Sequence, residues 1–291
     1  AMSIEGMPRH ATMHAAGVVI TDKPVSDYVP LSKNDDNVVT QFTMTALEEL
    51  GLLKMDFLGL RNLTVINDAE KQIKHKNPDY TPDMVDENDK KVFEMFSKGY
   101  TEGVFQFESQ GMKNVLTQLK PERIEDLIAV TALYRPGPMD SIPVYIDCRH
   151  NPSHIRYKHP LLKEILGVTS GCIIYQEQVM QIFRSLAGYS LGRADIVRRA
   201  MSKKKADVME HERKIFIEGL LREDGSIEVE GCIRRGIPRN IAEEIFAEME
   251  SFASYAFNKA HAACYAMISY QTAYLKCCLL YTSPSPRDTE R

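Results

Sequence analysis

The spacing of apolar positions along the chain changes near residue 60. Before it, Ala15–Thr21 (AAGVVIT) and Leu52–Leu58 (LLKMDFL) predict strands, with shorter candidates around Tyr28–Leu31 and Val38–Phe42. The polar stretches between them, DKPVSD and SKNDDN, predict turns. From Asn62 onward the period is helical: Leu63, Ile66, Ala69 and Ile73 recur on one face. Asp89–Ser97 gathers Val92, Phe93 and Phe96, and Ser109–Leu119 gathers Met112, Val115, Leu116 and Leu119. A further helix begun at Pro121 carries Ile124, Leu127, Ile128 and Leu133, and the prolines and glycine of Tyr134–Asp140 (YRPGPMD) stop it. Asn151–Pro160 reads as a polar loop. Helices follow at about 176–187, 191–201, 204–221, 238–250 and 260–276. The pattern predicts an α+β chain, mainly α: a small β-containing piece over residues 1–60, then a helical domain over 61–277.

Composition narrows the class without naming a function. The 291 residues are 44% apolar and 26% charged, close to the globular average, which excludes wholesale disorder and allows about two domains. No apolar run approaches the roughly 18 residues of a membrane span, and the first residues, AMSIEGMPRH, lack the apolar core of a signal peptide. The six cysteines form no C-x₂-C pair, so a structural zinc site is not expected, and their spread suits reduced thiols in the cytoplasm. A net charge of −4 excludes a globally basic nucleic-acid binder but not a local basic patch.

One segment breaks with the rest. Cys278–Asp288 (CLLYTSPSPRD) follows a helical run with no cap or turn logic, and it resembles the in-frame translation of a transposon-end sequencing adapter. Residues 278–291 are therefore expected to be disordered and foreign to the protein. Without them the net charge stays at −4, and the Cys277–Cys278 pair does not speak for redox chemistry. The start is equally abrupt, and both ends read as those of an internal fragment.

Four places carry candidate chemistry. In Lys54–Leu60 (KMDFLGL) strand alternation puts Leu53, Met55 and Phe57 on one face and Lys54 and Asp56 on the other. Asp56, near the end of a buried strand, is either a ligand for a hard cation or a cap for the helix that follows. In Leu191–Lys205, Arg193, Arg198, Arg199, Lys203, Lys204 and Lys205 face a single acid, Asp195, giving +5 in thirteen residues. Ala194, Val197 and Met201 form the buried stripe, so the arginines project from other faces, either as a phosphate-binding set or as a solvated charged surface. In Ser254–Gln271, Asn258 is placed to cap a helix, and Lys259 and His261 stand at its N-terminus, where anions are favoured. Val104–Met112 (VFQFESQGM) alternates Phe105 and Phe107 with Gln106 and Glu108 and reads as core plus a helix start. His10 and His14 precede a strand rather than sharing a helix face, so they are not read as a metal pair. No phosphate-binding glycine loop or nucleophile elbow occurs.

Taken together and in order, KMDFLGLRNLT, VFQFESQGM, the RPGPM turn, IIYQEQVMQI, VRRAMSKKK and FNKAHAACYAMISYQTAYLK resemble the bacterial DNA polymerase III alpha-subunit family, the C-family replicative polymerases, in its DnaE-type form. The resemblance spans residues 2–276. It implies that residues 1–60 are the C-terminal part of a nucleotidyltransferase-like mixed-sheet palm, with the end of the thumb junction, and that 61–277 are the fingers. It implies that Asp56 is one of three metal-binding aspartates, with Lys54 beside it. Arg198, Arg199 and Lys203 would then meet the incoming deoxynucleoside triphosphate, and Tyr255, Asn258, Lys259 and His261 would lie near the nascent pair or the primer-template DNA. The implied chemistry is phosphoryl transfer assisted by two Mg²⁺ ions. The other two aspartates of the family lie upstream in a D-x-D segment absent from this sequence, so these residues alone are expected not to polymerise DNA. The implied partners, sliding clamp, clamp loader and proofreading exonuclease, attach through family regions that are also absent. The competing reading is a non-catalytic nucleic-acid-binding module, which binds DNA in a salt-dependent way without nucleotide or Mg²⁺.

Overall fold

Asp tolerates the left-handed backbone that a tight hairpin demands, and the NDDN segment uses it. The computed structural model describes residues 12–202, 206–253 and 255–279. Its first strand, β1 (Gly17–Ile20), is followed by the hairpin β2 (Leu31–Asn34) and β3 (Asn37–Thr40), with Asp35 at φ 53° in the turn. A short helix, α1 (Met44–Glu49), buries Leu47 and leads into β4 (Leu53–Asp56). β4 pairs antiparallel with β1, setting Gly17 opposite Asp56, Val18 opposite Met55 and Ile20 opposite Leu53. The expectation of a buried strand around Asp56 is corrected here. Leu53 and Met55, with Val18 and Ile20 across the ladder, are all exposed, because the sheet has two strands and its apolar face packs against no core among the described residues.

The chain divides into two compact units between Arg61 and Asn62. Helices dominate the second: α2 (Arg61–Lys74), α3 (Lys90–Ser97), α4 (Gln110–Leu119), α5 (Ile124–Leu133), α6 (Ile142–His150), α7 (Leu161–Leu166), α8 (Gln176–Ala187), α9 (Leu191–Ser202), α10 (Ala206–Glu218), α11 (Gly231–Arg234), α12 (Arg239–Ala253) and α13 (Lys259–Cys278). A small hairpin, β5 (Leu220–Leu221) and β6 (Ile227–Val229), separates α10 from α11. Helices far outweigh strands among the described residues, an α+β fold that is mainly α. The described strands form three antiparallel pairs, and the parallel pairing among the described residues is the single bridge Tyr175–Phe257. None of the described helices is long and apolar enough to cross a membrane.

Two hydrophobic cores organise this unit. The first joins α3, α4, α5 and α6 to α13. Its centre is α5, whose sequence IEDLIAVTAL is apolar nearly all round and whose long contact is with α13. The second core joins α7 to α12. Phe183 lies at its middle, with ring centroids 5.0 Å from Tyr189, 5.2 Å from Phe216 and 6.1 Å from Phe246. The seam runs through adjacent residues of an extended segment: Ile173 belongs to the second core, Ile174 and Tyr175 to the first. There the Gln176 N–H donates to the Phe257 carbonyl at 2.9 Å and the Phe257 N–H to the Ile174 carbonyl at 3.2 Å. The helix expected over 204–221 ends at Glu218, because Gly219 turns to φ 92° and opens the β5–β6 hairpin. Cys278 closes α13, and the rest of the suspected foreign tail, apart from Leu279, lies outside the described residues.

Candidate nucleotide and nucleic-acid interface

In the first unit, Lys54 donates to the carboxylate of Asp56, and His14 Nδ1 lies 3.8 Å from the same oxygen. Asp56 is therefore bound to its strand neighbour rather than capping α2. The Lys54 ammonium holds the Asp56 carboxyl below the usual carboxylate range. Gly17 makes room for the cluster. A Cβ there would stand 2.8 Å from Lys54 Cε, 3.0 Å from His14 Nδ1 and 3.1 Å from Asp56 Oδ1. His14, read from sequence only as part of a loop, is thus a member of this cluster. The described residues hold no group of three His, Cys, Asp or Glu side chains able to bind a metal ion. Asp56 would be one carboxylate of the Mg²⁺ site that the resemblance implies, and among the described residues no second acidic ligand stands with it.

In the second unit, α9 buries Ala194, Val197 and Met201 in the second core, as their spacing requires. Its basic residues are ordered by acids. Arg193 reaches Glu212 at 2.9 Å and Glu228 at 2.7 Å, and Tyr189 Oη donates to the other Glu212 oxygen at 3.0 Å. Arg198 donates through Nε and Nη2 to Asp195 Oδ1 at 3.0 and 2.7 Å, while Arg199 Nη2 meets Asp195 Oδ2 at 2.8 Å. One carboxylate therefore braces two arginines. Arg198, the principal cause, together with Arg199 holds the Asp195 carboxyl below its usual range. The Arg198 side chain is 14% exposed and that of Arg199 is 70% exposed, so Arg199 is the one presented to solvent. Lys203 lies outside the described residues.

The remaining candidates converge on the start of α13. Asn258 is its N-cap, its Oδ1 accepting the His261 N–H at 2.8 Å. Its Nδ2 donates to Glu177 at 3.1 Å, and both Glu177 oxygens accept the Lys259 N–H at 3.1 Å. Glu177, in the first turn of α8, thus holds the start of α13; it lies within the IIYQEQVMQI segment, which by itself points to no role for it. Asn258→Ala is expected to cost about 1 kcal/mol, read as a lowered urea midpoint, with Asn258→Ser recovering part of the loss. The Lys259 ammonium lies 5.7 Å over the Tyr175 ring. His261 stacks between Phe257 at 5.2 Å and Tyr265 at 4.3 Å. Tyr255 is exposed and its ring lies on Gly137, at φ 107°, where a Cβ would come within 2.4 Å of the ring. Its carbonyl accepts Arg135 Nη2 at 2.6 Å, and the Arg135 guanidinium sits 4.1 Å over Phe257. α9 and α13 thus present their groups from different cores.

Residues 62–224 match the family model described as the bacterial DNA polymerase III alpha subunit finger domain. The chain belongs to the bacterial DNA polymerase III alpha-subunit family. Residues 1–59 match a second model of that family, the bacterial DNA polymerase III alpha NTPase domain. Relatives include the DNA polymerase III subunit alpha of Borreliella burgdorferi, 50% identical over 278 residues, which are 95% of this chain and 23% of that protein. The protein of the same name from Staphylococcus aureus strain COL is 49% identical over 94% of this chain and 25% of its own length. That of Bacillus subtilis strain 168 is 47% identical over 95% of this chain and 24% of its own length. The chain thus spans about a quarter of the alpha subunits it matches. The finger-domain match ends before α12 and α13, so the α13 cluster lies beyond it.

Proposed function

We propose that these residues are part of the palm and the fingers of a replicative DNA polymerase that adds deoxynucleotides to a primer 3′ end, with 1–60 in the palm and 61–277 in the fingers. The observation that carries this reading is α9. Within a polymerase family, two adjacent arginines are braced by one aspartate on a helix anchored in the core, and the Arg199 guanidinium faces solvent. Arginine forks fit phosphate oxygens in pairs, so Arg198 and Arg199, with Lys203, are assigned to the triphosphate of the incoming nucleotide. Asp56 is assigned as a carboxylate toward Mg²⁺, with the Lys54 ammonium balancing its charge. Tyr255, Asn258, Lys259 and His261 are assigned to the nascent pair and primer-template DNA. Contacts with the sliding clamp, clamp loader and proofreading exonuclease are assigned to parts of the alpha subunit outside these residues.

The test is equilibrium binding of a Mg²⁺–deoxynucleoside triphosphate to this chain. Arg199→Ala is expected to weaken it by roughly tenfold or more, the weight of a charge-assisted contact. Equal binding by parent and variant overturns the assignment. The chain by itself is expected not to extend a primer, since Asp56 stands without its two companion aspartates. Template-dependent extension that disappears in Asp56→Asn would show that expectation to be wrong.

A further inference from the structure

The side of α9 that faces away from its core does not carry the polar pattern of an ordinary surface helix. Ala194, Val197 and Met201 anchor α9 in the second core. At about 3.6 residues per turn, the residues diametrically opposite them are Gly192, Ile196 and Arg199. All three are exposed, Ile196 at 69% in the middle of the helix. Charged and polar side chains are expected along the outer ridge of a helix whose other face is buried. Here the ridge is a glycine, an isoleucine and an arginine.

The fold gives no reason for the first two. Gly192 does not have a left-handed backbone, and a Cβ on it would meet no described atom within 4 Å. It is not needed as a cap, because Ser190 Oγ accepts the Arg193 N–H at 3.3 Å. Glycine is a poor helix former, so α9 alone would be better served by almost any other residue there. Ile196 belongs to none of the described cores. The third residue is held in place. Arg199 Nη2 meets Asp195 Oδ2 at 2.8 Å, one turn nearer the helix start, so its guanidinium is folded back to the level of Ile196. An apolar surface and an arginine fork therefore lie side by side on one exposed ridge, and Gly192 leaves the ridge low in the turn before them.

We propose that Ile196 is a specificity residue of this helix: it seats the nucleoside part of the nucleotide, over the gap at Gly192, while Arg199 takes phosphate. The inference rests on the assignment of Arg199 to the triphosphate and goes beyond it. A weakly polar body joined to an anion matches an apolar surface beside an arginine, whereas a bare polyphosphate uses the arginine alone. Ile196 then selects nucleotides over free polyphosphate without telling one base from another, because an aliphatic surface offers no hydrogen bond to a base edge.

The test compares Mg²⁺–thymidine triphosphate with Mg²⁺–tripolyphosphate by titration calorimetry on this chain. The parent is expected to bind the nucleotide about fivefold or more tightly than the tripolyphosphate. Ile196→Ser is expected to lose about fivefold in nucleotide affinity and nothing in tripolyphosphate affinity, while Ile196→Leu keeps both. Gly192→Gln separates binding from folding. Glutamine suits the helix better, so the thermal midpoint is expected to hold or rise, while nucleotide affinity falls about threefold because the gap is filled. Ile196→Ser with unchanged nucleotide affinity, or with equal losses for the two ligands, overturns the seat, as does a parent that binds both ligands equally. Unchanged nucleotide affinity in Gly192→Gln overturns the part given to the gap. Arg199→Ala keeps the two readings apart. Loss of tripolyphosphate affinity in Arg199→Ala, with no effect of Ile196→Ser on the nucleotide, removes only the seat. The selective loss in Ile196→Ser, with no effect of Arg199→Ala on either ligand, removes only the triphosphate assignment. A parent that binds neither ligand overturns both.

Discussion

Asp126→Ala is expected to lower the stability of the chain by about 3–5 kcal/mol. The side chain is fully buried at the start of α5 and every direction around it is used. Arg149 donates through Nε at 2.9 Å and Nη2 at 3.1 Å, Arg123 Nε at 3.1 Å, Tyr145 Oη at 3.2 Å and the Glu122 N–H at 3.1 Å. Alanine leaves the buried Tyr145 hydroxyl without this acceptor and leaves Arg149 only Glu122, at 3.2 Å, of its two carboxylates. Asp126→Asn keeps the shape and loses the charge, so its loss is expected to be smaller. The pH dependence has a definite sign. Burial, the strongest influence on the carboxyl, pushes its pKa up, but Arg149, the Glu122 N–H and Arg123 together outweigh burial and leave it below 3.8. A carboxyl depressed on folding contributes stability above its unfolded pKa and loses it as pH falls through the folded one. The gap between parent and Asp126→Ala urea midpoints is therefore expected to be full at neutral pH and to shrink below about pH 4. A gap that stays constant into acid contradicts this account.

How far the sequence could be read depended on how local each signal was. α8 matches its expected span, and α9 and α13 differ from theirs by one or two residues, because apolar spacing and caps are written within one helix. Ser109, Asp89 and Asn258 are caps in fact, each accepting a backbone N–H of its own helix. α1, α6, α7 and α11 lie outside the helices that the sequence predicts. α6, IPVYIDCRH, buries only Ile142 and Tyr145 and mixes apolar with charged positions, so it carries almost no periodic signal. Leu220–Leu221 looked like the end of a helix because apolar residues there pair with Val229 and Ile227, a contact that no local period encodes. The candidate site divides the same way. Residue types in VRRAMSKKK and FNKAH were informative by themselves, but their partners were not. Asp195 was visible as the one acid in a basic run; Glu177 lies 81 residues from Asn258, and Arg135 lies 120 residues from Tyr255, so both become neighbours only through the packing of α5 and α8 around α13. Alternation of Phe105 and Phe107 suggests burial of both, whereas the fold buries Phe107 fully and leaves Phe105 half-buried against Tyr265.

Phe183→Ala is expected to remove about 3–5 kcal/mol as well, but from the other half of the second unit. Phe183 is fully buried with three aromatic neighbours, stiff rings that close poorly over the space left when only a methyl remains. The same cluster holds Ala194, Val197 and Met201, the anchors of α9. Among the described residues α9 rests on this core alone, whereas α13 rests on α5 in the first core. Hydrogen exchange is therefore expected to show Phe183→Ala losing protection first in α8, α9, α10 and α12, and Asp126→Ala losing it first in α4, α5 and α6. Nucleotide binding is expected to fall in the Phe183 variant under mild urea and to persist in the Asp126 variant, since the α9 anchors stand on the second core. Equal loss of protection throughout would mean that the Ile173–Ile174 seam couples the cores into one cooperative unit. The groups on α9 and α13 would then be gained and lost together, and the triphosphate assignment would be judged apart from folding only by a surface substitution such as Arg199→Ala.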